Sequence, residues 1–307
     1  PNTVPAETTP ASHRRYPASS DKEPVIVFAR KICLTMASLT ILSTPKLLEP
    51  EDLSLPLGND DLLIQVTSAA VFAQAHIDGA VLVEPAQLCC GIAPAVGKLP
   101  ALSSLQQTMS SIGYRPDRRV IAYDDEGGGW AGKLLWVMDV IGHDNWAYLN
   151  GGLHAWAAAE GALSSGEFTA TKNPSPSQLA LDSQPIAEIA DVVSAIEEPG
   201  QVILDVRSRD EYLGLRSGSL RAGHIPGAVN LDWELLKDPH RHWRLREGLR
   251  EDLASLGIDQ DTRVITHCQT HHRSGLSYWV GRLLDIDIRA YHGSWAEWGN
   301  DPHLPIE

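Results

Sequence analysis

The sequence gathers a thiol, three imidazoles and a guanidinium in one short run, His267-Cys268-Gln269-Thr270-His271-His272-Arg273-Ser274-Gly275. The cysteine follows an apolar stretch typical of a buried strand, and helical spacing begins at about Arg273. A loop at this position can turn successive N–H groups inward, and the helix N-terminus adds partial positive charge. Both effects favour the thiolate and can lower a cysteine pKa from ~8.5 into the range ~3.5–7.5. Arg273 and any protonated fraction of His271 or His272 act in the same direction, so the run predicts a nucleophilic sulfur.

Other interpretations of this cluster fit the residues less well. An inert, buried cysteine belongs in an apolar core, which two histidines and an arginine within five residues do not suit. A zinc site would use the same ligand types, but one loop cannot easily surround an ion tetrahedrally, and no second Cys/His cluster completes the shell. His240 and His242 are better explained as a solvated turn. A Cys–His protease lacks any feature that marks a partner histidine or an oxyanion donor, and we predict no metal.

Short apolar runs alternate with helical patterns around the cluster. Strands are predicted over Gln201–Val206, from Val229 and over Arg263–Thr266, and helices from Ser208 to Tyr212, Leu245 to Leu256 and Arg273 to about Asp285. Gly257 stands where a C-cap glycine ends a helix. This alternation predicts the α/β class, with a mainly parallel sheet covered by helices on both faces. Ligands of such sheets bind at the carboxyl ends of the strands, where Cys268 falls.

The same pattern occurs twice in the chain. Three blocks recur in the same order, at 75–83 and 223–231, at 119–121 and 263–265, and at 150–156 and 292–298. The repeated unit is about half of the chain, too long for a solenoid repeat, so we predict a duplicated domain. Residues 164–184 are rich in Ser, Thr and Pro and predict a linker. It would join an N-terminal domain over 45–163 to a C-terminal domain over 185–307.

Composition and charge limit the class of function. The 307 residues are 43% hydrophobic and 21% charged, which is ordinary for a globular protein. A formal net charge of −14 argues against nucleic acid or an anionic membrane surface as the main partner. No stretch reaches 18 uncharged apolar residues, so no membrane span is expected. Four irregularly spaced cysteines do not form a disulfide framework, and we predict a cytoplasmic protein.

The first 44 residues are predicted to be a disordered leader. Residues 1–24 are rich in Pro, Ser, Thr and Ala, a composition that cannot bury enough apolar surface to offset ordering. The chain opens with Pro1, and Met36 lies just before the first domain. Translation from Met36, with an upstream artefact, is one interpretation. A targeting segment is the other, because Arg30-Lys31 precedes an apolar run.

The repeated blocks resemble the rhodanese (thiosulfate sulfurtransferase) and 3-mercaptopyruvate sulfurtransferase family over about residues 45–307. The resemblance is carried by Leu204-Asp205-Val206-Arg207 with Glu211-Tyr212, Gly223-His224-Ile225-Pro226-Gly227-Ala228, the Cys268 loop and Gly293-Ser294-Trp295. In its loop, Cys268 to Ser274 is most similar to the Azotobacter-type and pseudomonad rhodaneses. The resemblance implies two tandem rhodanese-like domains, each a mainly parallel sheet with helices on both faces.

The resemblance also implies a reaction. Cys268 would take the outer sulfur of an anionic donor, thiosulfate first of all, and pass it from a persulfide to a thiophilic acceptor such as cyanide. The loop that would hold these anions comprises Gln269, Thr270, His271, His272, Arg273 and Ser274. No cofactor is expected, the partners are a small-molecule donor and acceptor, and the protein would be a monomer. A 3-mercaptopyruvate enzyme, and a carrier that hands its persulfide to a protein partner, are alternatives.

The loop length bears on a third alternative, a rhodanese-like phosphatase. Those enzymes have five residues between the loop cysteine and arginine, whereas four separate Cys268 from Arg273. A smaller ring suits a sulfur atom better than a phosphate group, so a phosphatase or arsenate reductase is disfavoured.

The chain departs from the family pattern around the loop. Its residues match neither the mammalian-type thiosulfate enzymes nor the mercaptopyruvate enzymes, and Glu211 stands where those have a substrate-binding arginine. We expect Glu211 to pair with Arg207 as a structural contact. Anion recognition then falls to Arg273, with three further pocket candidates: Arg216, Arg221 and Trp233.

The first copy is predicted to be catalytically silent. The Arg-Val-Ile match puts Asp124 in the place of Cys268, and Asp125 and Glu126 follow. A carboxylate cannot accept sulfur, and three acidic groups would repel an anionic donor. We expect the N-terminal domain to pack on the C-terminal domain and close one side of the pocket. The neighbouring Cys89 and Cys90 are expected to be packing residues.

Overall fold

The computed structural model describes residues 46–170 and 178–307. The predicted leader with Met36 and the middle of the predicted linker therefore lie outside the described residues. The strands are β1 (Leu47–Leu48), β2 (Asp61–Val66), β3 (His76–Ile77), β4 (Val81–Val83), β5 (Arg119–Tyr123), β6 (Trp146–Leu149), β7 (Leu163–Ser164), β8 (Ile186–Ala187), β9 (Gln201–Asp205), β10 (Val229–Asn230), β11 (Lys237–Asp238), β12 (Arg244–Leu245), β13 (Arg263–His267) and β14 (Asp287–Tyr291). The α-helices are α1 (Ala69–Gln74), α2 (Leu102–Ser111), α3 (Gly129–Val140), α4 (Gly152–Ala158), α5 (Ile189–Glu197), α6 (Arg209–Tyr212), α7 (Leu249–Ser255), α8 (Arg273–Leu283) and α9 (Ser294–Trp298). No described helix is long and apolar enough to cross a bilayer.

The two halves contain the same parallel sheet. The first has the order β1-β6-β5-β2-β4 and the second the order β8-β14-β13-β9-β10. Every neighbouring pair in both sheets is parallel. The order matches strand for strand, so β5 of the first half is the counterpart of β13. This topology confirms the α/β class and the duplicated pattern.

Both faces of each sheet are covered. In β13, Val264 belongs to a large core that both halves share, whereas Ile265 packs on the opposite face with Trp295 of α9. In β2, Ile64 belongs to the shared core and Leu63 to the opposite one. Alternation between two buried faces explains why these strands are almost continuously apolar. The loops that contain polar side chains lie at the carboxyl ends of the strands.

Most predicted element boundaries agree with the structure, with two differences. The predicted helix from Leu245 begins only at Leu249, because Arg244–Leu245 pairs with Lys237–Asp238 as a small hairpin. Gly257, with φ of 77°, ends that helix region as expected. Ser164, predicted as the first linker residue, still pairs with His76.

Helices α3 and α8 join the two halves at a close crossing. A Cβ on Gly132 of α3 would lie 2.5 Å from the carbonyl carbon and oxygen of Gly275 in α8. Conversely, a Cβ on Gly275 would lie 2.5 Å from the backbone nitrogen of Lys133. The backbones therefore touch without intervening side chains, and the crossing holds the start of α8 beside the N-terminal domain.

We expect Gly132→Ala to lower the free energy of unfolding by about 1–3 kcal/mol, because the added methyl group forces two packed backbones apart. Urea unfolding of the full chain measures this change. Gly58→Ala is the matched control, since no atom lies within 4 Å of a Cβ built there. We expect that variant to stay within about 1 kcal/mol of the wild type. Equal unfolding midpoints for both variants would contradict the close crossing.

Candidate active site

Cys268 is the first residue after β13, and the loop that follows ends where α8 begins at Arg273. Its backbone N–H donates to Ser294 Oγ at 3.4 Å. The N–H groups of Trp295 and Ala296 donate to the carbonyls of Cys268 and Gln269 at 2.9 Å. Hydrogen bonds from residues 294–296 therefore hold the backbone at the start of the Cys268 loop in place.

The Cys268 thiol is fully buried beside polar groups that favour its anion. Ser274 Oγ lies 3.5 Å from Sγ as a hydrogen-bond donor, and it contacts His271 Nδ1 at 2.8 Å. Burial opposes ionisation, but the charge of Arg273, the Ser274 hydroxyl and N–H, and then His272 outweigh it. Together they lower the pKa of Cys268 to about 7. A substantial fraction of the thiol is therefore ionised at neutral pH.

We expect the thiolate of Cys268 to appear with a midpoint near pH 7 and to increase as the pH rises. The measurement is the ultraviolet thiolate absorbance of the wild type minus that of Cys268→Ala across a pH series. Ser274→Ala removes one donor to the anion, so its midpoint should move upward by about one pH unit. A wild-type midpoint at or above the ordinary thiol value would contradict this description of the loop.

Glu211 holds Arg273 in a two-pronged ion pair. The two terminal nitrogens of Arg273 donate to the two carboxylate oxygens at 2.7 and 2.9 Å. Arg216 also approaches Glu211 at 3.4 Å and donates to Ser208 Oγ at 2.9 Å. Burial would raise the pKa of Glu211, but the Arg273 pair lowers it to about 2. The expected pairing of Glu211 with Arg207 is wrong.

Arg207 is occupied by a different carboxylate. Its guanidinium is fully buried and pairs with Asp205, with Nε bonds of 3.0 Å to both carboxylate oxygens. The same guanidinium lies over the Trp295 ring at 4.3 Å. Because Asp205 ends β9 beside β13, this pair belongs to the core beneath the loop, and Glu211 is left free to reach Arg273.

An open recess of about 320 Å³ lies beside Arg273 and Glu211. Its lining comprises Glu211, Arg216, Ser217, Gly218 and Arg273. Arg216 therefore lines the same recess as Arg273, and its part in anion recognition stays a prediction. Arg221 is not in this lining, because its guanidinium donates to the backbone carbonyls of three residues near the C-terminus: Trp298, Asp301 and Leu304. Arg221 therefore stabilises the backbone near the C-terminus instead of lining the recess.

The N-terminal domain closes one side of the loop. Glu126 Oε1 contacts His272 Nε2, and the Trp130 ring stacks on the same imidazole with centroids 4.2 Å apart. The ring centroids of Trp233 and His272 are 5.6 Å apart. The Lys237 ammonium lies over the Trp233 ring, 3.3 Å from its centroid. Trp233 therefore lies beside the loop but is not among the residues that line the recess, and its place in the substrate pocket stays a prediction. The sequence does not predict that Glu126 and Trp130 contact His272, because the acidic residues there are expected only to repel an anionic donor.

The remaining loop residues serve to shape it. Gln269 Nε2 donates to Ser219 Oγ at 3.1 Å, and the Thr270 carbonyl faces Gly97 so closely that a Cβ there would lie 1.8 Å away. His271 is fully buried, with its ring edge-on to Trp136. Burial and neighbouring Lys133 lower the pKa of His271 well below its ordinary value. Its protonated fraction at neutral pH is therefore small, and the positive charge beside Cys268 comes chiefly from Arg273.

The counterpart loop of the first half contains its own anion. Asp124 is fully buried directly after β5, and its Oδ1 accepts N–H bonds from Glu126, Gly127 and Gly128 at 3.3, 3.1 and 2.8 Å. Its Oδ2 accepts a fourth N–H from Ala131 at 3.0 Å. Burial and the Glu126 charge raise the pKa of Asp124 to about 6. A carboxylate therefore occupies the nest of N–H groups that this loop forms.

Both halves of the chain match the family model described as "Rhodanese-like domain", over residues 49–159 and 188–301. The chain belongs to the rhodanese family. This rhodanese is 43% identical over 265 residues to the thiosulfate sulfurtransferase of Pseudomonas aeruginosa, an alignment that covers 86% of this chain and 97% of the relative. It is 42% identical over 267 residues to the thiosulfate sulfurtransferase of Azotobacter vinelandii, covering 86% and 98%. These findings confirm the resemblance to Azotobacter-type and pseudomonad rhodaneses.

A solved structure shares the fold at lower identity. The anaerobic ergothioneine biosynthesis enzyme from Chlorobium limicola, in complex with trimethyl histidine, superposes with a TM-score of 0.72 at 22% identity. The superposition covers 85% of this rhodanese and 70% of that enzyme. At this identity the likeness shows that the fold is shared and does not extend to the substrate.

Proposed function

We propose that this rhodanese is a thiosulfate sulfurtransferase in which Cys268 carries the transferred sulfur as a persulfide. The observation that carries the proposal is the buried Cys268 thiol, whose anion is favoured by Arg273 and Ser274 at the start of α8. The relatives at 42–43% identity bear the name thiosulfate sulfurtransferase. A thiophilic acceptor such as cyanide completes the turnover.

The reaction consists of two displacements at sulfur. The Cys268 thiolate attacks the outer sulfur of thiosulfate, a new S–S bond forms, and the old S–S bond breaks as sulfite leaves with the electron pair. Cyanide then attacks the outer sulfur of the persulfide, giving thiocyanate and restoring the thiolate. Neither step needs an oxidant or a reductant, because the sulfane sulfur moves between nucleophiles at constant oxidation level.

The surrounding groups have distinct parts in this scheme. Arg273 stabilises the thiolate and attracts the dianionic donor, and Ser274 donates to the anionic sulfur. Glu211 fixes the guanidinium of Arg273, and Arg216 adds a second positive charge at the recess. His272, held by Glu126 and Trp130, closes the opposite side. Asp124 stands where the counterpart loop of the first half would need a thiol.

Intact mass spectrometry tests the proposal. Incubation with thiosulfate should add one sulfur atom to the full chain, peptide mapping should place it on Cys268, and cyanide should remove it. No added sulfur, or sulfur on Cys89 or Cys90, would overturn the assignment. Repeating the first step with 3-mercaptopyruvate tests the alternative donor. The alternative donor, the carrier role, the cytoplasmic location and the monomeric state stay predictions.

A further inference from the structure

One serine hydroxyl lies between the reactive thiol and a buried imidazole. Ser274 Oγ is 3.5 Å from Cys268 Sγ and 2.8 Å from His271 Nδ1. A serine hydroxyl has a single proton, so it can donate to only one of these two atoms at a time. Whether the sulfur receives that proton therefore depends on whether Nδ1 of His271 is a donor or an acceptor.

Packing holds the imidazole and the serine in place. His271 is fully buried, and its ring lies edge-on to Trp136 of α3, with centroids 4.5 Å apart and planes at 82°. The Trp136 Nε1–H in turn donates to the Pro185 carbonyl at 3.0 Å. Ser274 is also fully buried, in the first turn of α8, where its carbonyl accepts a hydrogen bond from Ser277 Oγ at 3.2 Å. The contact between imidazole and hydroxyl therefore belongs to the packed region where α3 meets the Cys268 loop.

The His271 ring carries one N–H, because its surroundings oppose a second. Burial is the main cause, and the charges of Lys133, His292 and His272 act in the same direction to lower the pKa of His271. A neutral imidazole has one protonated and one bare nitrogen. Nε2 has no hydrogen-bond partner among the residues that the structure describes. Since a buried N–H without an acceptor is rarer than a buried acceptor without a donor, the proton is favoured on Nδ1.

We propose that His271 is a positioning residue whose Nδ1–H donates to Ser274 Oγ and thereby directs the serine hydroxyl proton to the sulfur of Cys268. The proposal rests on the proposed function, because it concerns the anion that begins the sulfur transfer. Each hydrogen bond in this row polarises the next, which stabilises the negative charge beyond what Arg273 and His272 supply. The opposite tautomer would accept the serine proton at Nδ1 and leave the sulfur without this donor.

Nitrogen-15 NMR of the full chain, labelled in histidine, measures the tautomer directly, because protonated and bare ring nitrogens differ in chemical shift. The His271 signals are those missing from the spectrum of His271→Asn. At about pH 9, where Cys268 is ionised, we expect a protonated Nδ1 and a bare Nε2. A bare Nδ1 with a protonated Nε2 that points toward the Trp136 ring would overturn the proposal.

Two variants of His271 test what this N–H does for the thiol. His271→Leu removes the donor and should raise the midpoint of Cys268 ionisation by about half a pH unit, read from thiolate absorbance. The rate of sulfur loading from thiosulfate should then fall about threefold at pH 6 and match the wild type near pH 9. His271→Asn should restore most of the wild-type midpoint, because an amide N–H can replace the Nδ1–H and asparagine tolerates the φ of 52° at this position.

His292→Leu is the matched control. His292 packs on the same Trp136 ring, with centroids 5.5 Å apart, but its ring nitrogens contact the Leu99 N–H and the Glu188 carboxylate. We expect His292→Leu to leave the midpoint of Cys268 unchanged, even where urea unfolding shows a loss of stability. A rise equal to that of His271→Leu would overturn the positioning role, because it would follow from disturbed packing alone.

The double variant His271→Leu/Ser274→Ala shows whether His271 acts through the serine. If it does, adding His271→Leu to Ser274→Ala should raise the midpoint no further. A further rise, or a wild-type midpoint in His271→Leu alone, would overturn the proposal. Failure of the wild type to load sulfur from thiosulfate would overturn the proposed function instead, and the NMR spectrum and the thiolate midpoints would still decide the role of His271.

Discussion

Cys268→Ala should reduce thiocyanate formation from thiosulfate and cyanide to the background rate, a loss on the order of 10⁴-fold or more. The reason is chemical, since no neighbouring group of the loop can form and break an S–S bond. Deleting one buried sulfur atom leaves a small cavity, so the variant should stay folded with a loss of about 1 kcal/mol or less. Initial rates of thiocyanate formation and urea unfolding measure the two effects.

Cys90→Ala is the matched control for that experiment. Cys90 is half-buried, its thiol contacts the Ala95 carbonyl at 3.3 Å, and it lies outside the loop after β13. We expect its activity to equal that of the wild type. Full activity in Cys268→Ala, or a comparable loss in Cys90→Ala at unchanged stability, would show that the sulfur travels by another route.

Arg273→Gln should lower kcat/KM for thiosulfate by about 10²–10³-fold at pH 7. The variant removes the charge that favours the Cys268 thiolate, and it frees the Glu211 carboxylate beside the donor. Both changes raise the pKa of Cys268, so activity should recover in part as the pH rises and the thiolate returns. The attraction for the donor anion does not return, so KM should stay high. Steady-state rates across pH separate these two contributions.

Two further variants show which property of Arg273 matters. Arg216→Gln, at a side chain 63% exposed that approaches the same carboxylate, should cost only about two- to fivefold. Glu211→Gln/Arg273→Gln removes the unpaired carboxylate and should recover stability, which Arg273→Gln lowers by about 1–3 kcal/mol. If the double variant also regains full activity, the positive charge of Arg273 is not required for the reaction.

Local pattern was enough to predict the elements near the reacting sulfur. The β13 strand, the start of α8 at Arg273 and the short cysteine loop follow from apolar runs and from helical spacing, which are properties of neighbouring residues. The repeat of three blocks predicted a duplicated domain, and the two sheets have the same strand order. The strand, the helix and the loop follow from patterns among neighbouring residues, and the duplication follows from short blocks that recur in the other half of the chain.

The pairing of charges could not be predicted in the same way. Glu211 lies 62 positions from Arg273, and Glu126 lies 146 positions from His272. A sequence places Glu211 near Arg207 because they are four residues apart, but Asp205 already occupies that guanidinium. Which carboxylate reaches which cation depends on the angles between elements, and those are set by the packing of α3 on α8 and of the loop on α9.

By itself the sequence determined the α/β class and the internal duplication, and it predicted Cys268 as the reactive thiol, because the first two follow from patterns in the sequence and the third from residue type. Only the tertiary structure decided how that thiol is charged. It buried His271, turned Arg273 toward Glu211 and directed Arg221 to backbone carbonyls near the C-terminus. The physical reason is that ionisation responds to burial and to charges within a few ångströms, and folding brings those groups together from distant parts of the chain.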